Sequence, residues 1–320
     1  MKRVLSGAAL LVTAALLATA QDQVDPNLKP YQRVDGVSGN LNSVGSDTLN
    51  NLMTYWAEGF KKAYPNVAIQ IEGKGSTTAP PALIKGSSQL GPMSRAMKRT
   101  ESDEFEAAFG YKPTELRVAL DALAVYVNKD NPLEEITMEQ LDAIFSKGRK
   151  RKYRENIKTW GQLGLTGDWT NRPISMFGRN SASGTYGFFK EHTLLNGDYK
   201  DTVKEQPGSA SVILGVTEDR YAIGYSGMGY ATPGVKKLRI ADKAGTPYVA
   251  AEAANVVNNT YPLRRFLFVY INKSPSKPLD PLVREFGLYV FSKEGQQVVV
   301  KDGFVPVSGE TADAEIAKLK

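Results

Sequence analysis

The 320-residue chain has no cysteine and a single histidine, His192. The first absence removes disulfides, thiolate metal sites and thiol nucleophiles. The second leaves His-rich zinc centres without ligands and gives a Ser-His-Asp hydrolase only one candidate base. His192 stands about two helical turns beyond Ser183, where it faces solvent or closes a helix, so an enzyme has little to build on. Repeats and low-complexity stretches are lacking too, which argues against an adhesive or structural surface factor. Charge of one sign is in modest excess, with a formal net charge of +6. That is too little to point to nucleic acid but enough to favour small anions. The composition calls for no cofactor and no metal.

One apolar run stands out, from Val4 to Leu17. It falls short of the ~20 residues that a membrane span needs. Lys2 and Arg3 precede it and Ala18-Thr19-Ala20 follows. That is the pattern of a secretory signal peptide over residues 1–20, cleaved before Gln21. No cysteine lies beside the cleavage site, so no lipid anchor is expected and the product is a soluble periplasmic protein. Loss of Lys2 and Arg3 lowers the formal charge to +4. Residues 21–36 are polar, carry Pro26 and Pro30, and read as a leader or linker. The basic run over residues 147–154 reads as a solvated loop, with an anion-steering or partner-docking patch as its functional counterpart.

The rest, with 42% apolar residues in the chain, is long enough for two domains. Leu49, Leu52, Met53, Trp56 and Phe60 form one stripe of a helix over 48–64. Residues 67–72 alternate as a strand. Pro80 and Pro81 suit the first turn of a helix that starts near residue 77 or 78 and ends by Gly86. A strand end is expected at 90–94, and a helix over 101–109 with Thr100 and Asp103 as a capping box. Further helices are expected over 136–145, 184–195, 210–218 and 282–300, and strands over 116–128, 174–178, 222–226 and 266–272. Alternating strands and helices make the class α/β. The runs 122–128 (ALAVYVN) and 266–272 (FLFVYIN) mirror one another in character. One enters a middle segment and the other leaves it. A discontinuous first domain, 37–123 plus 264–320, would then hold an inserted second domain, 124–263, with a ligand cleft between them.

Three helix starts share one design. Gly45-Ser46-Asp47-Thr48, Gly75-Ser76-Thr77-Thr78 and Ser181-Ala182-Ser183-Gly184-Thr185 each put small or hydroxyl residues where backbone N–H groups lack partners. Those N–H groups and the helix dipole suit a tetrahedral oxyanion. Ser, Thr and Asp are ordinary helix caps as well. Three such starts in one chain, one of them inside a Gly-x-Gly-Ser turn, favour a shared anion. Arg179, four residues before Ser183, adds a planar fork of donors suited to phosphate or carboxylate.

These segments resemble the PstS-type phosphate-binding proteins. Arg179-Asn180-Ser181-Ala182-Ser183-Gly184-Thr185 is similar to that family's R-x-x-x-S-G-T motif. Gly45-Ser46-Asp47-Thr48 and Gly75-Ser76-Thr77-Thr78 resemble its first and second phosphate loops. Gln89 to Arg95, Ala222 to Tyr225 and Gly303 to Pro306 match further family punctuation, so the resemblance spans residues 44–307. It implies a type II periplasmic binding protein, with two α/β domains joined by two crossover strands around a cleft that holds inorganic phosphate. The implied donors are Ser46, Asp47, Thr48, Ser76, Thr77, Arg179, Ser183, Gly184 and Thr185, with Ser94 and Arg95 as further contacts. The implied partners are the permease subunits of an inner-membrane ABC importer, and a monomer is expected. The chain departs from the family at Arg95, where some members place an Asp that accepts the proton of phosphate. A carboxylate there repels sulfate, which has no proton to give. Asp47 is the expected replacement and Asp121 the reserve. A binder of another oxyanion such as sulfate or molybdate, and a secreted phosphatase, are the alternatives. The phosphatase lacks a base for Ser183.

Overall fold

The computed structural model describes residues 24–320. The signal peptide and the first residues of the leader lie outside that range. Eleven strands and ten helices follow in chain order. They begin with β1 (Gly39–Val44), α1 (Asn50–Ala63), β2 (Val67–Glu72), α2 (Ala79–Ile84), β3 (Gly91–Met93), α3 (Arg99–Phe109) and β4 (Thr114–Asn128). The middle holds β5 (Glu135–Thr137), α4 (Met138–Phe145), β6 (Ser175–Arg179), α5 (Gly184–His192), β7 (Lys204–Gln206), α6 (Ser209–Glu218), β8 (Ala222–Gly227), β9 (Val235–Lys237), β10 (Arg239–Ala241) and α7 (Ala253–Val257). The chain returns through β11 (Arg264–Ile271) and closes with α8 (Pro281–Val290), α9 (Lys293–Lys301) and α10 (Gly309–Ala317).

The long strand β4 organises the sheet, whose order is β3-β11-β4-β8-β6-β7 with β9 also on β4. Up to Ala122 it pairs with β11, and from Leu123 it pairs with β8 and then β9. All three pairings are antiparallel, whereas β6 pairs with β7 and β8 in parallel. Leu123 N–H donates to Leu263 O at 2.9 Å, where the outgoing and returning chains pass each other. Eleven consecutive residues of β4, Val118 to Asn128, are buried. A strand covered on both faces needs such a run rather than alternation. The parallel pair β1–β2 continues the first half through Leu90, whose N–H donates to Asn42 O.

The expected helices and strands form, with some shifts. The α1 stripe Leu49, Leu52, Met53, Trp56 and Phe60 is fully buried. The cap of α3 is Lys98 rather than Thr100, because Glu101 reaches back to the Lys98 N–H at 2.8 Å. The single helix expected over 282–300 is two. Ser292 Oγ accepts the Gly295 N–H at 3.1 Å and starts α9 afresh. The described part of the leader is no free linker. Leu28 is buried, the Tyr31 ring lies 5.5 Å from Tyr289 and its hydroxyl donates to Glu285. Lys293 N–H donates to Lys29 O, and Asp25 accepts the Gly309 N–H at the start of α10. Aromatic packing and these caps hold a segment whose polarity alone suggested looseness.

Candidate functional site

The three hydroxyl-rich helix starts meet at one place. The first two are 3-10 turns, Asp47–Leu49 and Ser76–Thr78, that lead into α1 and α2. The third is the N-terminus of α5. Thr48 and Thr185 hydroxyls lie 2.9 Å apart. Thr185 is 3.4 Å from Ser94 Oγ, which is 3.3 Å from Ser76 Oγ. Thr77 N–H and its hydroxyl both donate to Ala182 O at 3.2 Å. Two glycines permit this approach. A Cβ on Gly184 would lie 2.3 Å from Ser76 Oγ and 2.7 Å from Ser94 Oγ. A Cβ on Gly75, whose φ is +118°, would lie 2.5 Å from Ala182 O. Among the described residues nothing accepts the N–H groups of Asp47, Ser76 or Gly184. These are helix-start donors with no intrahelical partner.

Arg179 ends β6 and is buried. Its Nη1 donates to Ser209 Oγ at 2.7 Å and its Nη2 to Pro207 O at 3.0 Å. Its buried Nε has no partner among the described residues. Burial holds the guanidinium pKa below its ordinary value, and the Asp47 carboxylate opposes that only in part. Asp47 Oδ2 lies 3.2 Å from Arg179 Nη1 and accepts the Ser209 N–H and hydroxyl at 2.8 and 2.9 Å. The Tyr230 hydroxyl donates to Asp47 O and Thr48 O, both at 3.1 Å. Asp47 thus ties the first loop to the start of α6.

The other expected residues take different positions. Ser183 Oγ is occupied as the α5 cap, accepting from Thr185 and Tyr186 N–H. Ser46 is buried and its N–H donates to Pro92 O. Arg95 is turned from the hydroxyl cluster, its fork bound to Glu101 at 2.8 and 2.6 Å. It helps to line an outer cavity of about 750 Å³, with Thr77, Ser183 and Arg265. Asp121 is fully buried and bound by Arg265 Nε and Nη2 at 2.9 and 2.7 Å. Burial pushes its carboxyl pKa up, and Arg265 offsets that only in part. His192 is exposed and stacks on Phe188 with ring centroids 4.0 Å apart. In the basic run, Lys147 pairs with Asp201, Lys150 donates to Leu195 O and Arg151 Nε to Thr193 O. That run behaves as a tied-down surface loop.

Three site residues escaped the sequence reasoning: Ser209, Tyr230 and Arg265. Gly208-Ser209 at the head of α6 repeats the glycine-hydroxyl design and was legible as a fourth helix start. A charged Arg265, second in an otherwise apolar strand, was a weaker signal. Tyr230 had none. Chemically the arrangement offers neutral hydroxyls, helix-start N–H groups and one buried guanidinium to an oxyanion. Among the described residues no group of three His, Asp or Glu side chains could hold a metal ion.

Comparison with known proteins agrees with this geometry. A family model described as a PBP superfamily domain matches residues 30–294. The phosphate-binding protein PstS of Pseudomonas aeruginosa is 54% identical over 319 residues, covering 100% of this chain and 99% of that one. Protein SphX of Synechococcus elongatus is 27% identical over 100% of this chain and 91% of its own. A solved ABC-type phosphate transport receptor from Vibrio cholerae superposes with a TM-score of 0.64 at 23% identity, over 83% of this chain and 100% of that one. The chain belongs to the PstS family within the PBP superfamily, and its fold is the two-domain α/β fold of periplasmic binding proteins.

Proposed function

We propose that this protein binds inorganic phosphate in the periplasm and delivers it to the permease of an ABC importer. The observation that carries the reading is the meeting of three helix starts from two halves of the chain around the Thr48–Thr185 hydroxyl pair, beside buried Arg179. Helix dipoles, N–H groups and hydroxyls replace the hydration shell of a dianion without a full countercharge. Arg179 supplies the charge-assisted bond through Nε. The 54% identity to a phosphate-binding PstS supports phosphate over other oxyanions. The protein is a binder and not an enzyme, as its family membership implies.

The ligand set is Ser46, Asp47, Thr48, Ser76, Ser94, Arg179, Ser183, Gly184 and Thr185, several through backbone N–H, while Thr77, whose N–H and hydroxyl both go to Ala182 O, braces the second loop against the third. Arg95 belongs to the rim, since Glu101 takes its fork. Asp47 rather than Asp121 accepts the phosphate proton. Asp47 Oδ1 carries no bond among the described residues, whereas both Asp121 oxygens are taken, by Arg265 and by Met228 N–H. The domains divide at 123/124 and 263/264, as the switch of β4 from β11 to β8 supports. A cleaved signal over 1–20, no lipid anchor and a monomeric state complete the reading. No helix among the described residues is long and apolar enough to cross a membrane.

Calorimetric titration of refolded, phosphate-stripped mature protein with phosphate and then sulfate at neutral pH tests it. One-to-one phosphate binding with sulfate ignored is expected, and Asp47→Asn should weaken the rejection of sulfate. Preference for sulfate or molybdate would sink the ligand assignment, and unchanged selectivity in Asp47→Asn would sink the role of Asp47.

A further inference from the structure

Arg265 lies outside every oxyanion motif, on the returning strand β11, yet it touches the hydroxyl cluster. Its side chain is 2% exposed and that of its partner Asp121 is 0% exposed. Nε and Nη2 bind Asp121 Oδ2, while Nη1 donates to Thr185 Oγ1 at 3.0 Å and to Ser94 O at 2.9 Å. Asp121 Oδ1 accepts the Met228 N–H at 3.0 Å. The pair therefore sits on the two strands that link the halves of the chain. It reaches Ser94 on one side and Thr185 and Met228 on the other.

The bond to Thr185 has a directional consequence. A hydroxyl has one proton and two lone pairs. A guanidinium can only donate, so one lone pair of Thr185 is occupied permanently. Two hydroxyls are within reach of the other, Thr48 at 2.9 Å and Ser94 at 3.4 Å, and a proton from either one fills it. The Thr185 proton is then free to be donated, and an oxyanion in the cluster is the acceptor that wants it. We propose that Arg265 is a positioning residue that sets the polarity of the hydroxyl chain, committing Thr185 to donate to the bound anion. Asp121 holds the guanidinium in place and offsets its charge in the interior, where an unpaired ion is costly. Arg265 itself does not touch the ligand. A site poised in this way favours acceptor-rich oxyanions over ligands that present donors.

The proposal rests on the phosphate reading above, and a double-mutant cycle in the mature protein separates the two. Arg265→Met with Asp121→Asn removes the ion pair as a unit and avoids a lone buried charge. Thr185→Val removes the hydroxyl. Phosphate affinity by titration should fall about tenfold or more when the pair is replaced in the presence of Thr185, and less than about threefold in the Thr185→Val background. Thermal unfolding without phosphate checks folding and should shift alike in both backgrounds. Where the pair variant unfolds without cooperativity, Arg265→Lys runs the same cycle, since one ammonium cannot reproduce the fork. Equal losses in the two backgrounds, or no loss with Thr185 present, would overturn the proposal alone. Wild-type protein that ignores phosphate would overturn the phosphate reading and this proposal together.

Discussion

Asp47 and Asp121 each sit beside a guanidinium, and their surroundings separate their work. Asp121 is sealed between β4, β11 and the Met228 turn, with both oxygens used. Asp47 keeps one oxygen clear beside Gly208. A third carboxyl, Asp302 at the end of α9, has a buried oxygen without a partner among the described residues. Burial pushes its pKa from 3.8 up to about 7. Between those values the folded chain keeps a proton that the unfolded chain has released. Stability is therefore highest with respect to this group below about pH 4 and is lost as pH rises through about 7. Asp302→Asn should raise the melting temperature at pH 8 and leave it nearly unchanged at pH 4. A rise of equal size at both values would show that titration of Asp302 is not the cause.

At the scale of elements, the helix starts matter more than the helices. α5 is an ordinary capped helix, but its first residue is pressed against α2's leading turn. Alanine at position 184 suits helical backbone, so Gly184→Ala should fold normally. Its methyl would lie 2.3 Å from Ser76 Oγ and 2.7 Å from Ser94 Oγ. The halves could then not approach fully, and phosphate affinity should fall by about a hundredfold or more, since a misplacement near 1 Å is costly in a preformed site. Wild-type affinity in this variant would mean that the contact is not needed for binding. The stripes of α1 and the alternation of β2 were plain in the sequence because burial follows local period. The break between α8 and α9 was hidden, because Ser292 falls inside an otherwise helical pattern and only its bond to Gly295 ends the run.

At the scale of the molecule, β4 and β11 carry the chain between two halves whose loops interlock through Thr77–Ala182, Thr48–Thr185 and Asp47–Ser209. Such a seam suits closure of one half on the other around a ligand. Phosphate at a thousand times its dissociation constant should stabilise the folded protein by about 4 kcal/mol, read as a rise in melting temperature. Small-angle scattering should show a smaller radius of gyration with phosphate than without. An unchanged radius together with tight binding would mean that the cleft is closed before the ligand arrives.

The chain order alone determined the α/β class, the strand pair that carries the crossover and the three hydroxyl-rich helix starts. Each of these is written in local period, in turn residues or in a short motif. Tertiary structure decided the rest. It turned the Arg95 fork onto Glu101, its neighbour at the start of α3. It brought Arg265 from 80 residues downstream onto Thr185, and Ser209 from 162 residues onto Asp47. It also fastened the leader to α1, where the Tyr31 ring packs on Phe60, and to α8 and α10. Long-range partners such as these are chosen by which surfaces pack together and which buried charges must be matched, and neither is encoded in the spacing of residues along the chain.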